Sequence, residues 1–235
     1  TQQFWCDRGP MYSRKMPHDS INVAITVESA FFEGNVNYQG KQLHAADSIL
    51  ALLGDKMKPI IHLRGWRYQI PYLGDISNWK QFVDAADSSG YRIQPYTNTN
   101  HWTDGFGDDI DSTLYKSRAL NINGDPYHDT TWKAQIMNPE DSAWRYKFYG
   151  IADTIFDTNK LGATDIYMDY PPHPKLDWNP RHSKGGGNKW FQGFRALSDS
   201  VVSIGRRFND DAVFIQEGRF EGSVDIYDGF IYPDW

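Results

Sequence analysis

Short apolar runs alternate along the chain with longer segments in which apolar residues recur at helical spacing. Strands are predicted at 21–27, 58–63, 92–96, 165–168 and 212–216, and a sixth can begin at 230–232. Helices are predicted at 42–53, 78–89, 138–159 and 189–208. Because strands that alternate with helices form parallel sheets with crossover helices, this pattern favours the α/β class.

Capping residues and prolines sharpen some of these boundaries. Ser77 can cap the helix at 78–89, and Gly90 can end it. Asn138 and Pro139 are typical of a helix N-cap and of the first helical position. Pro95 weakens the prediction of a strand at 92–96, because proline donates no hydrogen bond to a neighbouring strand.

The number of strand–helix units bears on the fold. A closed barrel of the TIM type has eight units in about 250 residues. This chain has 235 residues and five or six visible units. We expect an α/β fold of the (β/α)8 TIM-barrel type over residues 21–235, truncated at its C-terminus, after an N-terminal extension at 1–20. A further domain or chain can then complete the barrel.

The net charge, the hydropathy, the cysteine count and the first residue of the chain limit the possible functions and locations of the protein. The net charge is −6 and there is no basic run, so nucleic acid is a poor candidate partner. No apolar stretch has the length of a membrane span. The single cysteine, Cys6, excludes an internal disulfide framework. The chain begins at Thr1 without a methionine, either because a signal peptide was removed or because the sequence is part of a longer chain. We favour the first, which places the protein outside the cell or in the cell envelope.

Aromatic residues are unusually frequent, at 15% of the chain, with 9 Trp, 14 Tyr and 13 Phe. The C–H faces of sugar rings pack on aromatic rings, so the surplus suits a carbohydrate cleft. Packing in the core is the alternative explanation for most of them.

Two carboxylates stand at predicted strand ends. Asp169 follows the strand at 165–168 and precedes Tyr170 and two prolines, and Glu217 follows the strand at 212–216. Glycoside hydrolysis needs two acids, and adjacent barrel strands can bring them to the separation of about 5 Å that retaining enzymes use. The alternatives are a helix-capping or loop role for Asp169 and a surface loop for Glu217.

Several other residues are candidates for ligand contacts. A polar stretch at 97–137 follows a strand and is long enough to be functional. Arg64 and Trp66, and likewise His101 and Trp102, combine donors with an indole as sugar subsites do, although packing explains them nearly as well. His173, Asp177 and His182 could hold a metal, but their spacing matches no standard motif. We expect no metal and no cofactor, and we interpret the acidic segment 104–111 as a solvated loop.

The segment from Tyr167 through Asp169, His182, 185–187 and 190–195 resembles a poorly characterised family of glycosidase-like barrels. Glu217-Gly218, Glu221 and 227–230 continue the resemblance, which covers roughly residues 55 to 235. More distantly the chain is similar to the endo-α-N-acetylgalactosaminidases and the α-galactosidase clan. It departs from them in lacking a cysteine in the triple-glycine loop and in lacking the last barrel strands.

The resemblance implies a retaining glycoside hydrolase that acts on an α-linked oligo- or polysaccharide. In those relatives an Asp nucleophile follows the fourth strand, and an acid/base follows one or two strands later. Asp169 is then the nucleophile and Glu217 the acid/base. Substrate contacts are expected at Arg64, Trp66, Asn98, His101, Trp102, Tyr167, His182 and Glu221. The alternative is a barrel that has lost catalysis and binds glycan or packs in an assembly.

Overall fold

A computed structural model describes residues 60–63, 76–103, 112–130, 134–169, 175–182, 187–218 and 223–231. Its strands are β1 (Ile60–Leu63), β2 (Arg92–Asn98), β3 (His101–Thr103), β4 (His128–Asp129), β5 (Ala134–Ile136), β6 (Ile166–Asp169), β7 (Phe214–Glu217) and β8 (Gly229–Ile231). Its helices are α1 (Ile76–Ser88), α2 (Ser142–Phe156) and α3 (Gly187–Phe208), with a 3₁₀ helix at Ser112–Ser117. The predicted elements at 21–27 and 42–53, and the predicted extension at 1–20, lie outside the described residues.

Five strands form one parallel sheet in the order β1-β2-β6-β7-β8. This confirms the α/β class and the parallel sheet predicted from the alternating pattern. Within the described residues the sheet is open, and the strands do not close into a complete barrel. No helix among the described residues is long and apolar enough to cross a membrane.

The register separates the sheet into two faces, because residues paired across parallel strands point the same way. One face carries Ile93, Ile166, Met168 and Phe214, which pack in the main hydrophobic core with α2 and α3. The ring centroids of Phe156 on α2 and Phe214 lie 5.6 Å apart. The opposite face, called the inner face below, carries His62, Gln94, Tyr96, Asn98, Tyr167, Asp169, Ile215 and Glu217.

A buried ion pair closes the amino end of the inner face. The Arg92 Nε donates to Asp165 Oδ2 at 2.8 Å, and its Nη2 donates to the backbone oxygen of Asp211 at 2.6 Å. The backbone N–H of Val213 also donates to the Asp165 carboxylate, at 2.9 Å. The pair therefore joins β2, β6 and the start of β7. Burial raises the pKa of Asp165, although the Arg92 guanidinium opposes this.

The segment between β2 and α2 differs from the predicted loop. It holds a three-stranded antiparallel sheet in the order β3-β5-β4, together with the 3₁₀ helix. Its strands have only two or three residues. Strands this short do not complete an alternating pattern, which explains why the hydrophobic pattern did not predict them.

Two predicted helix starts are wrong by a few residues. Asp141, not Asn138, is the N-cap of α2, since its carboxylate accepts the backbone N–H of Ala143 at 2.8 Å. The Asn138 side chain instead accepts the N–H of Glu140 at 2.8 Å, which makes a turn before the helix. Helix α1 begins at Ile76, so Ser77 lies within it.

Pro95 is accommodated inside the central strand β2. It stands opposite Leu63, the last residue of β1. From Tyr96 onward the register of β2 pairs it with β6. The proline therefore lies where β2 changes its pairing partner, a position that tolerates a missing N–H.

Candidate active site

Asp169 and Glu217 end two adjacent strands. Met168 stands opposite Gln216, and the two acids are the next residue on each strand. Because neighbouring strands lie about 4.8 Å apart, the Cα atoms of the acids are about 5 Å apart. Both side chains belong to the inner face and both are half-buried. The structure therefore brings the two predicted acids together at the carboxyl edge of the sheet.

A packed aromatic layer lies directly below the acids on the inner face. The rings of Tyr96 and Tyr167 are stacked, with centroids 5.7 Å apart. The rings of His62 and Tyr167 are nearly perpendicular, with centroids 4.8 Å apart, and the His62 Nδ1 lies 3.1 Å from Gln94 Oε1. Tyr167, a predicted substrate contact, is 6% exposed. Among the described residues this layer fills the inner face below the acids, so the acids lie between it and the carboxyl edge of the sheet.

Asn98 stands opposite Asp169 and shapes the loop that follows β2. Its Oδ1 accepts the backbone N–H of Asn100 at 3.2 Å and of His101 at 3.0 Å. Its Nδ2 lies 3.0 Å from the Nδ1 of His101. The backbone oxygen of Asp169 accepts both the N–H and the hydroxyl of Thr99. Asn98 thus holds the turn beside the acids, and a substrate contact there stays a prediction.

His101 and Trp102 turn into the protein. His101 is 1% exposed, and its Nε2 lies 3.6 Å from Asp129 Oδ2. Trp102 is 5% exposed and meets Trp144 edge to face, with ring centroids 5.7 Å apart. The Trp144 Nε1 donates to the backbone oxygen of Thr99 at 2.8 Å. The buried position of Trp102 agrees with the alternative that it is a packing residue. Through its contact with Trp144 it supports the loop beside the acids.

His182, another predicted substrate contact, is the centre of a buried polar network. Its Nδ1 lies 2.5 Å from Asp177 Oδ2, and its Nε2 lies 3.1 Å from Asp141 Oδ2. Asp177 also accepts the Asn138 amide at 2.7 Å and the backbone N–H of Leu120 at 2.9 Å. The network joins the segment 175–182 to Leu120, which follows the 3₁₀ helix, and to the start of α2.

Hydrogen bonds between the side chains of this network determine which of them are charged. Burial acts to lower the pKa of His182, but hydrogen bonds to Asp141 and Asp177 outweigh it and raise that pKa to about 9. The hydrogen bond from His182 lowers the pKa of Asp141 to about 2. Burial alone would raise the pKa of Asp177, yet its hydrogen bonds, led by the one from His182, lower it. At neutral pH the network is therefore an imidazolium between two carboxylates.

This geometry bears on the metal alternative. Both ring nitrogens of His182 face carboxylates, and Asp177 accepts four hydrogen bonds. Among the described residues no group of three or more His, Cys, Asp or Glu side chains could hold a metal ion. His173, the other ligand of that hypothesis, lies outside the described residues, as do Arg64, Trp66 and Glu221.

The sequence did not indicate the role of Asp141. An acid in the first turn of a helix suits the helix dipole, so the sequence alone gives Asp141 no further role. The sequence feature that indicates this network is the pair Asp177 and Asn179. Asp and Asn side chains often accept a hydrogen bond from the backbone N–H two residues further along the chain. The Asp177 carboxylate does accept the N–H of Asn179, at 2.8 Å.

Several solved structures, glycosidases among them, have a similar fold. A GH36 α-galactosidase, AgaA, from Geobacillus stearothermophilus is 12% identical over 91% of this chain and 31% of its own, with a TM-score of 0.67. The α-N-acetylgalactosaminidase NagBb from Bifidobacterium bifidum is 12% identical over 88% of this chain and 37% of its own, with a TM-score of 0.64. The cycloalternan-forming enzyme from Listeria monocytogenes is 10% identical over 89% and 22%, with a TM-score of 0.62.

These similarities establish a glycosidase-like fold and nothing finer. The chain spans well under half the length of each of these structures. No curated protein matches it in sequence. A family model described as "Domain of unknown function" matches residues 1–235.

Proposed function

We propose that this chain, which belongs to the family described as Domain of unknown function (DUF6259), is a retaining glycoside hydrolase that acts on an α-linked glycan. The observation that carries the proposal is the adjacency of Asp169 and Glu217 on one face and at one edge of a parallel sheet. The carboxyl edge of such a sheet is where barrel enzymes hold their catalytic groups. The glycosidase-like fold of the chain agrees with this assignment.

The proposed reaction uses each acid in turn. An Asp169 oxygen attacks the anomeric carbon while the bond to the leaving oxygen breaks and Glu217 gives that oxygen its proton. Glu217 then takes a proton from water, and the water oxygen attacks the anomeric carbon as its bond to Asp169 breaks. Both acids return to their starting state, and the configuration is retained.

The neighbouring side chains suit these roles. The stacked rings of Tyr96 and Tyr167 provide a packed apolar floor below the acids. The Asn98 turn and the bonds from Thr99 to the Asp169 backbone fix the position of the nucleophile. The separation of the strands allows the carboxyl groups to approach the spacing of about 5 Å that retaining enzymes use. Contacts from Arg64, Trp66 and Glu221, and the secreted or envelope location, stay predictions.

The test uses two variants and chromogenic glycosides. Asp169→Asn and Glu217→Gln should each reduce hydrolysis of natural glycans by at least about a thousandfold, since each removes a group that acts in the transition state. A 4-nitrophenyl α-galactoside, α-N-acetylgalactosaminide or α-glucoside needs little protonation of its leaving group. It should therefore restore Glu217→Gln far more than Asp169→Asn. Wild-type rates in both variants would overturn the assignment.

A third variant tests whether the acid/base follows the next strand, β8, instead of β7. Asp234 follows β8 by three residues along the chain, so it is the acid that comes after the next strand of the sheet and could serve as acid/base. If Asp234→Asn rather than Glu217→Gln is rescued by the activated substrates, the acid/base role belongs to Asp234.

The alternative is a barrel that binds glycan without cleaving it. A separation of the two carboxyl groups well beyond about 10 Å would favour it, because neither retaining nor inverting chemistry then fits. The register between β6 and β7 argues for the shorter distance. Glycan binding by wild-type protein with no hydrolysis of any of the three chromogenic substrates would support this alternative.

A further inference from the structure

A second group of residues near the site faces solvent and has no role in the proposed chemistry. Between residues 175 and 179, exposed and buried positions alternate. Leu176 is 63% exposed and Trp178 is 45% exposed, whereas Asp177 between them is fully buried. This alternation is typical of an extended segment with one face toward the protein. The outward face of the segment thus presents a large apolar surface.

The backbone of this segment is hydrogen-bonded to residues that lie between the 3₁₀ helix and β4. The Trp178 N–H donates to the Leu120 oxygen at 2.9 Å, and the Tyr127 hydroxyl donates to the Leu176 oxygen at 3.0 Å. The Lys175 ammonium lies 6.0 Å from the centre of the Tyr127 ring. Leu176 and Trp178, with Tyr127 beside them, form what we call the aromatic platform.

The platform is held rigidly from below. The buried Asp177 carboxylate accepts from Leu120, Asn179 and Asn138, and it pairs with His182. The Asn179 amide donates to the backbone oxygens of Lys116 and Arg118, at 3.0 and 2.8 Å. Exposed aromatic rings on a fixed backbone lose little conformational freedom on binding, so they bind a ligand more tightly than mobile ones.

The platform is linked to the candidate active site through contacts between described residues. The Asp177 carboxylate, between Leu176 and Trp178, accepts from the Asn138 amide at 2.7 Å. The neighbouring Met137 N–H donates to the Asn100 backbone oxygen at 2.7 Å, and Asn98 stands opposite Asp169. These contacts place the platform at the edge of the sheet that carries the two acids.

We infer that the aromatic platform is a distal subsite that stacks one sugar ring of an extended glycan on Trp178. The inference rests on the proposed glycosidase function and deepens it, because it makes the substrate an oligo- or polysaccharide longer than a disaccharide. A half-exposed indole presents an apolar face on which the C–H face of a sugar ring can pack. The exposure of Leu176 provides a second apolar contact on the same face.

Binding is tested on the inactive Asp169→Asn protein, so that the result does not depend on turnover. Native gels containing galactomannan, dextran, soluble starch or mucin retard a protein that binds the polymer. We expect retardation in at least one gel and an approximately tenfold weaker affinity in Trp178→Ala, the loss of about one aromatic stacking contact. The matched control is Tyr146→Ala, which removes a 72% exposed aromatic on α2 and should leave the affinity unchanged.

Turnover gives the second readout, in the protein with Asp169 intact. Trp178→Ala should leave hydrolysis of a 4-nitrophenyl α-glycoside unchanged and should raise KM for the retarding polymer about tenfold. If the Asp169→Asn protein is retarded equally with and without the Trp178→Ala substitution, the subsite is overturned. The absence of retardation in every gel would also overturn it. A dimer that Trp178→Ala dissociates in sedimentation experiments would make the platform a self-interface instead. Retardation without hydrolysis would refute the proposed function and leave the subsite standing.

Discussion

Replacement of His182 is the sharpest test of the buried network beside the site. Its side chain is 2% exposed and lies between the carboxylates of Asp177 and Asp141, at 2.5 and 3.1 Å. Burial acts against its charge, yet the two carboxylates raise the pKa of His182 from 6.5 to about 9. At 1.36 kcal/mol per pKa unit, a shift of this size corresponds to roughly 3 kcal/mol of folding free energy.

The pH dependence follows from the direction of the shift. Because the folded-state pKa of His182 is raised, its contribution is fully present below pH 6.5 and is lost as the pH rises through about 9. The carboxyl of Asp141 behaves in the opposite way. Its pKa falls from 3.8 to about 2, so its contribution is present above pH 3.8 and is lost as the pH falls through 2.

We therefore expect His182→Gln to lower the free energy of unfolding by about 3 kcal/mol at pH 6, since a buried charge pair loses one partner. The difference from wild type should shrink steadily between pH 6.5 and about 10. Urea denaturation followed by tryptophan fluorescence at several pH values measures both. The control is Lys160→Gln, which removes an exposed ion pair with Asp153 and should cost less than about 1 kcal/mol. A pH-independent difference, or one below 1 kcal/mol at pH 6, would refute this reasoning.

The remaining predictions concern packing and charge away from the network. Gly193→Ala should lower the free energy of unfolding by about 3 kcal/mol or more, because the new Cβ would lie 2.4 Å from the backbone nitrogen of Glu140. Gly150→Ala, in helix α2 with nothing within 4 Å, should instead stabilise by up to about 1 kcal/mol, and equal thermal shifts in the two variants would contradict this. Arg92→Met should cost about 3 kcal/mol in urea denaturation, because it leaves the buried Asp165 carboxylate without its guanidinium. That cost should fall at low pH, where the carboxyl is protonated, and a cost that does not change with pH would exclude the ion pair as its cause.

The hydrophobic pattern predicted the framework well. Strands were predicted at or near β1, β2, β6, β7 and β8, and the parallel order follows from their alternation with helices. The pattern succeeds at β1, β6 and β7 because buried parallel strands form short apolar runs that are visible in the local sequence. It placed Asp169 and Glu217 at strand ends, where the structure has them.

What the sequence could not display is chemistry that depends on distant partners. His182, Asp177 and Asp141 meet only in the folded chain, 41 residues apart at the widest. Trp102 looked like a sugar contact because it follows a strand, but its burial depends on Trp144 in helix α2. The short strands β3, β4 and β5 pair with each other and carry no pattern of their own.

Residues 190–195, which carry part of the resemblance to glycosidase-like barrels, have structural roles. Trp190 is fully buried against Ala119 and Ile136 of the inserted segment. Gly193 lies against the backbone of Pro139 and Glu140, so a side chain does not fit there. Arg195 pairs with Asp225 before β8. The resemblance on these residues therefore reports how α3 docks beside the site, and it does not report the chemistry of the site.

The central claim is that Asp169 forms a covalent bond to the sugar. The test uses 5-fluoro glycosyl fluorides of the α-galacto, α-N-acetylgalactosamino and α-gluco series. These compounds slow the breakdown of a glycosyl enzyme more than its formation, so the covalent intermediate accumulates. Mass spectrometry of proteolytic peptides then locates the attached sugar. The account predicts one sugar on Asp169 and none in Asp169→Asn. A sugar on any other residue, or hydrolysis of these fluorides with inversion and no attached sugar, would contradict it.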